Sequence, residues 1–482
     1  MDADRRTRLL ALVLLVLPGP LLAQDPWVGD WQGSLQVGPQ SLPLIVHLTQ
    51  GADGLEATMD SPAQGAMGIP VSSVRVSGDS LVFEVPVIQG RYEGVRGSGG
   101  LVEGTWSQGP NALPLVLERV ADGEAPAAVP TPADRPQTPR CPCPYEVEEV
   151  VVPNPEAGIE LAGTLTLPPA DGPVPGVVLV SGSGPQDRDE TLMGHKPFAV
   201  LADHLTRSGI AVLRYDDRGV GGSTGEFAAA TSADFASDAD AALAFLATRP
   251  EVDAGAVGIV GHSEGGLVGP LVTTRSDRAR FLVLLAGPGV PGRDILRTQS
   301  RAVAELEGVS PEVIEINRRV LDGLFRVIAE TEDPDEAATR ARAVLSDAVA
   351  EIDPADRAAA GIPQGDLDPW LDAQVAQFNS PWMRYFLAYD PGPVLETVHV
   401  PVLALNGTLD AQVDADINLT AIGAALTRGG NPDHTEEALP GLNHLFQEAG
   451  SGTPTEYATI EQTMSPRAMD RVAEWIMERF GG

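Results

Sequence analysis

The sequence predicts an α/β protein in which a mostly parallel sheet carries an inserted helical cap and follows a small antiparallel β domain. Three observations predict it. Beyond residue 145, short stretches that are apolar at nearly every position alternate with helical patterns, the mark of strands covered by helices on both faces. Residues 24–120 instead hold short alternating segments between glycine-rich turns. Residues 121–144, between the two, are rich in proline and alanine and lack hydrophobic periodicity, as in an extended semi-rigid linker.

From the N-terminus, Arg5, Arg6 and Arg8 precede the apolar run Leu9 to Leu17, which Pro18-Gly19-Pro20 breaks before Leu21-Leu22-Ala23. This is the plan of a secretory signal peptide over residues 1–23, and it implies a secreted or periplasmic protein. The run is about half as long as a membrane span requires, and no later segment approaches ~20 apolar residues. No integral membrane segment is therefore expected after its removal. The chain carries 67 acidic against 32 basic residues, a formal charge of -35. Such a surface repels phosphate backbones and anionic lipid, which argues against nucleic acid as a partner.

In the first domain, Leu42 to Leu48, Val71 to Val76 and Leu81 to Val85 read as strands. The opening Gly29-Asp-Trp-Gln-Gly33 is echoed by Gly104-Thr-Trp-Ser-Gln-Gly109, as though the first and last strands meet in a barrel or curled sheet. His47 stands alone on its strand and reads as a surface or packed residue. Cys141 and Cys143 are the two cysteines of the chain. Their spacing leaves incidental linker thiols, which is the expectation, a strained local disulfide, or pairing between molecules. Two ligands do not make a structural zinc site.

The second domain, residues 145–482, opens with a hairpin of Tyr145 to Val152 and Ile159 to Leu167. Gly176 to Val180, Ile210 to Arg214, Val257 to Val260 and Phe281 to Leu285 follow as buried strands, with helices at Phe198 to Arg207 and Ala233 to Ala247. Charged helical segments, including Pro311 to Thr331 and Glu336 to Ile352, then break the rhythm and form the cap at about 290–390. The alternation resumes with Val398 to Leu405 and Asp416 to Arg428, and ends in the helix Ser465 to Phe480.

Two stretches match Gly-x-Ser-x-Gly: Gly221 to Gly225 and Gly261 to Gly265. The nucleophile elbow of an α/β-hydrolase requires a strand, a sharp turn and a helix that starts directly behind the serine. Val257-Gly-Ile-Val260 and Leu267 to Thr274 meet that requirement around Ser263, whereas Ser223 lies in a glycine-rich loop with no helix behind it. A serine hydroxyl is a weak nucleophile at neutral pH, so it needs a base held in one tautomer by an acid. In this fold the acid precedes the histidine. Asp410, in the turn after Val400 to Leu405, and His444, in the loop Pro440-Gly-Leu-Asn-His444, fit that order; Asp414, Asp416 and His434 are the alternatives. The loop Ser181-Gly-Ser-Gly184 follows a strand and would supply backbone N–H groups, with that of Glu264, to a developing oxyanion.

The strings Ser181-Gly-Ser-Gly-Pro-Gln-Asp-Arg-Asp-Glu190, Arg214-Tyr-Asp-Asp-Arg-Gly219, Gly261-His-Ser-Glu-Gly-Gly266, Gly407-Thr-Leu-Asp410 and Gly441-Leu-Asn-His444 resemble bacterial α/β-hydrolase carboxylesterases that carry an N-terminal β domain. The resemblance covers nearly all of residues 145–480. It implies activity on short acyl esters, a triad of Ser263, Asp410 and His444, and oxyanion donors at Ser183 and Glu264. Asp216, Asp217 and Arg218 read as loop structure. The expected partner is a small-molecule ester, and no metal or organic cofactor is required. A serine peptidase or amidase would use the same residues, and a non-catalytic surface or carbohydrate-binding protein is the rival of another kind. A Ser-x-x-Lys β-lactamase is excluded, because the single lysine, Lys196, has Met193 three positions before it. Phe378, Trp382, Tyr385, Phe386 and Tyr389 are candidates to line the acyl pocket. Oligomeric state is left open.

Overall fold

A computed structural model describes residues 26–481 apart from 38–39, 52–53, 62–65, 86–89, 98, 109–110, 121–134, 354–356, 358–361 and 363–366. The expected signal peptide and most of the expected linker lie outside the described residues.

The first unit is a nine-stranded antiparallel sheet of β1 (Gly29–Val37), β2 (Gln40–Gln50), β3 (Leu55–Ser61), β4 (Ala66–Val71), β5 (Ser73–Ser77), β6 (Ser80–Val85), β7 (Gly90–Arg96), β8 (Val102–Gln108) and β9 (Asn111–Arg119). Its order is β4-β3-β2-β1-β9-β8-β7-β6-β5. Strands β4 and β5 are adjacent in the chain yet form the two edges, and β3 lies against β5 and β4 against β6, so the sheet curls until it nearly closes. The segment Val71 to Val76, which alternation marks as one strand, is divided at Ser72 for that reason: the chain leaves one edge and enters the other. First and last strands do meet, through Trp31 opposite Arg119 of β9, but the echoed motif at Gly104 lies on β8, one strand inside the last, and does not pair with β1. Trp31 and Trp106, from the echoed motifs, are buried together with Phe83, Tyr92 and Met59 in the interior. His47 is not alone: its ring nitrogens lie 2.8 Å from Asp30 Oδ1 and 3.0 Å from Asp60 Oδ2.

The second sheet contains β10 (Glu146–Asn154), β11 (Ile159–Leu167), β12 (Val174–Val180), β13 (Ala211–Tyr215), β14 (Val252–His262), β15 (Leu282–Leu285), β16 (Val402–Gly407) and β17 (His434–Leu439). It is mixed, in the order β10-β11-β13-β12-β14-β15-β16-β17. The pairings of β10 with β11 and of β11 with β13 are antiparallel, and those from β13 through β17 are parallel. The central strands are apolar on both faces because each face is covered. On one side Val178, Val257 and Leu284 pack with Leu243 of α2 (Ser232–Leu246) and Val268 of α3 (Gly265–Thr273). On the other, Val177, Val260 and Leu403 pack with Leu201 of α1 (Pro197–Arg207) and with Trp475 of the C-terminal helix Pro466–Phe480.

Between β15 and β16 the chain forms α4 (Gly292–Leu306), α5 (Pro311–Glu330), α6 (Pro334–Ala350), α7 (Asp368–Phe378) and α8 (Pro381–Ala388). Three of these have a proline in the first turn and a preceding Ser310, Asp333 or Ser380 whose side chain accepts a backbone N–H of that turn. The helices bury Phe325, Ile328, Leu345 and Leu371 among themselves. They meet the sheet unit through Ile295 and Phe386, which pack with Leu267 and Val413.

The chain is already docked at Arg135, ten residues before the hairpin. The Arg135 guanidinium donates to the carbonyls of Met193, Ala458 and Ile460, each at 2.9 Å. The Gln137 amide donates to the Met464 carbonyl at 2.7 Å and accepts the Thr463 N–H. Cys141 and Cys143 form a disulfide, with Cα atoms 4.4 Å apart, so the expectation of two free thiols does not hold.

Candidate active site

Parallel strands end on one side of their sheet, and loops at those carboxyl ends are where α/β proteins place chemistry. Here β14 runs into the turn His262-Ser263-Glu264, and α3 starts at once behind it. Ser263 has φ +52°, a left-handed conformation that strains a non-glycine residue by about 1–3 kcal/mol. Glycines permit the turn. A Cβ on Gly261 would lie 2.0 Å from the Gly265 carbonyl oxygen, and one on Gly265 would lie 2.1 Å from that of Val180. The Ser263 N–H donates to the Leu285 carbonyl at 2.8 Å, which ties the turn to β15.

Asp410 follows β16 and His444 follows β17, and both are buried. His444 Nδ1 lies 2.8 Å from Asp410 Oδ2. The other carboxylate oxygen accepts the N–H groups of Gln412 and Val413 at 2.8 and 2.9 Å, so its direction is fixed. A carboxylate accepts hydrogen bonds, so Nδ1 is the donor of this pair. Ser263 and His444 line one cavity of about 300 Å³, and Ser183 and Glu264 share it.

The glycine-rich loop after β12 is held from below by Asp217, whose carboxylate accepts Ser181 Oγ at 3.1 Å and the Gln186 N–H at 3.0 Å. Burial pushes the Asp217 carboxyl well above the usual carboxylate range, against those two bonds. The Gly182 N–H is committed to Glu190 Oε1 at 2.8 Å. Among the described residues, the amides of Ser183 and Glu264 have no acceptor within the protein, which leaves them for a ligand. The side chain of Glu264 is spent on the fold: its Oε1 accepts Ser232 Oγ at 2.5 Å and the Trp382 indole N–H at 2.7 Å. Burial raises its pKa, while the bonds from Ser232, Trp382 and Ser183 pull the other way.

The competing residues lie elsewhere. Ser223 Oγ donates to the Asp216 carbonyl at 2.7 Å and accepts the Ala162 N–H at 2.9 Å, a loop brace. Asp414 caps the helix Ala415–Arg428, and His434 begins β17 beside Glu436. Of the five aromatic candidates, Trp382 and Phe386 line the cavity. Phe378 packs on Phe325 within the insertion, and Tyr385 stacks on Tyr389.

Sequence reasoning missed Glu190. Its Oε1 lies 2.8 Å from His262 Nδ1, and His262 Nε2 lies 3.0 Å from the His444 carbonyl oxygen. This chain of contacts sets the backbone of His444. Burial disfavours a charged His262, yet the Glu190 carboxylate and the His444 carbonyl outweigh it and hold its pKa above the ordinary value. Glu190 falls inside a quoted motif, but nothing local to it reveals a partner 72 residues away. Among the described residues, no group of His, Cys, Asp and Glu could hold a metal ion, and no helix is long and apolar enough to cross a membrane.

A profile of the serine aminopeptidase S33 family matches residues 195–344, which span α1, the Ser263 turn and the first insertion helices. Esterase EstD of Thermotoga maritima is 27% identical over 322 residues; the match covers 66% of this chain and 66% of EstD. An esterase of Pyrococcus furiosus superposes with TM-score 0.41 and 16% identity over 70% of this chain and 92% of its own. The α/β hydrolase GrgF from a Penicillium species gives 0.41 and 18% over 70% and 100%. Together with the strand order and the elbow, the sequence matches support a serine hydrolase of the α/β-hydrolase fold, similar in sequence to an esterase.

Proposed function

We propose that the protein hydrolyses carboxylic esters of short acyl chains by a Ser263-His444-Asp410 triad. The observation that carries this reading is a strained serine sharing one cavity with a histidine whose other nitrogen faces a fixed carboxylate. His444 Nε2 accepts the Ser263 proton as Oγ attacks the ester carbonyl. The Ser183 and Glu264 amides receive the resulting oxyanion, and the start of α3 adds its positive end. The protonated His444 then gives its proton to the departing alcohol. The same histidine activates water to release the acid from the acyl-enzyme.

The insertion of α4 to α8 acts as a cap, with Trp382 and Phe386 against the acyl group. The leader pattern of residues 1–23 supports export. Ester cleavage draws support from the EstD match, and amide cleavage, the second reading, from the description of the matching family profile. Hydrolysis of p-nitrophenyl acyl esters of increasing length, beside aminoacyl p-nitroanilides, separates them. Turnover of the short esters, abolished in Ser263→Ala, is the expected result. Turnover of the anilides alone moves the enzyme to the peptidases.

A further inference from the structure

The cavity wall is divided between two kinds of side chain, and the division tracks the reaction. Ile295, Trp382 and Phe386 form an apolar part. Trp382 donates its indole N–H to Glu264 Oε1, and in the ester-hydrolase reading Trp382 and Phe386 stand against the acyl group. Gln299 and Gln412 form a polar part, and Gln186 lines the cavity from the Ser181–Gly184 loop. Gln412 belongs to the loop of the triad acid, its N–H donating to Asp410 Oδ1. The general acid protonates the leaving oxygen, so the side of Asp410 and His444 is the side of the leaving alcohol.

These glutamines are positioned and only partly satisfied. Gln299 stands one helical turn beyond Ile295 on α4 and donates to Gln412 Oε1 at 3.3 Å, and Gln412 donates to the Tyr457 hydroxyl at 3.0 Å. Gln186 donates to the Ser183 carbonyl at 3.2 Å. Each side-chain amide offers two N–H donors and a carbonyl with two lone pairs, so these bonds leave both donors and acceptors for a ligand. No lysine or arginine is in the described lining. The two lining carboxylates are closed to a ligand: Glu190 and Glu264 use Oε1 within the protein, and their Oε2 atoms are sealed from solvent.

We infer that the preferred substrates are esters of a short apolar acid with a neutral, hydroxyl-bearing alcohol, a polyol or sugar, whose hydroxyls bond Gln299 and Gln412. This inference rests on the ester-hydrolase reading. A cavity of about 300 Å³ is at the small end for ligand sites and suits a short acid with a small alcohol.

The test compares butyrates that differ only in the alcohol: glycerol, 1-hexanol and the hydroxyl of a carboxylate-bearing hydroxy acid. For the intact enzyme, kcat/KM is expected to be at least about tenfold higher for the glycerol ester than for either other. In Gln299→Leu and Gln412→Leu the glycerol-to-hexyl ratio of kcat/KM falls toward one. A hexyl ester turned over as well as the glycerol ester by the intact enzyme overturns the inference, as does a ratio unmoved in both variants. A fall in all rates together marks damage to the fold, and the comparison on the intact enzyme still decides. Absence of turnover on every butyrate, p-nitrophenyl butyrate included, overturns the ester-hydrolase reading itself.

Discussion

Ser263 holds a left-handed backbone that a glycine would adopt without cost, so the serine is present against the preference of its own turn. Removing the hydroxyl while keeping the Cβ leaves that strain in place. Ser263→Gly is therefore expected to be more stable than Ser263→Ala by about 1 kcal/mol in urea unfolding. Asp410→Asn should keep its geometry but hold His444 in the wrong tautomer, lowering kcat by roughly 10³–10⁴-fold with little change in stability. Glu190→Gln tests the contact behind His444. The His262 pKa is raised in the folded state from an ordinary 6.5. Its contribution is thus fully present below the unfolded value and lost as pH rises through the folded one. The stability gap between the parent and Glu190→Gln should be widest near pH 6 and narrow on going alkaline, as measured by urea unfolding at each pH; a gap independent of pH would contradict the assigned cause. Ser263, Asp410 and His444 could be named as candidates from the sequence because each follows a strand signal and the expected fold sets their order. Glu190 and the Trp382 bond to Glu264 were not, since they join residues 72 and 118 positions apart with no local pattern to mark them.

At the scale of elements, the central strands and their helices follow directly from apolar runs and helical periodicity, and the insertion from the interruption between β15 and β16. Alternation failed at Val71 to Val76, where two short strands share one pattern and only sheet closure separates them. Composition likewise marked residues up to 144 as linker, yet Arg135 and Gln137 fasten two loops, one that lines the cavity and one that braces a lining residue. One carries Glu190 and Leu192; the other carries Tyr457, which bonds Gln412. Arg135 makes three bonds from one charged group, so Arg135→Ala should cost about 2 kcal/mol in unfolding free energy. A change under about 0.5 kcal/mol, the range of neutral surface substitutions, would show the clamp to be ornamental.

Over the whole molecule, a curled antiparallel sheet precedes a mixed sheet whose carboxyl-end loops converge on one cavity. The formal charge of -35 sets the long-range field in which a substrate approaches. A carboxylate-bearing ester should show KM falling as salt rises from ~0.01 to ~0.15 M, where the screening length shortens from about 30 to 8 Å, while a neutral ester should not. Charge and the succession of a β unit and an α/β unit were legible from composition and periodicity, whereas the polar and apolar lining of the cavity emerged only with the packing of α4 and α8. The central claim, that Ser263 is the nucleophile, is tested most directly by fluorophosphonate labelling followed by peptide mass analysis. The account predicts one phosphonylated serine, Ser263, with labelling abolished in Ser263→Ala and retained in Ser223→Ala. Modification of Ser223, or undiminished labelling of Ser263→Ala, would contradict it.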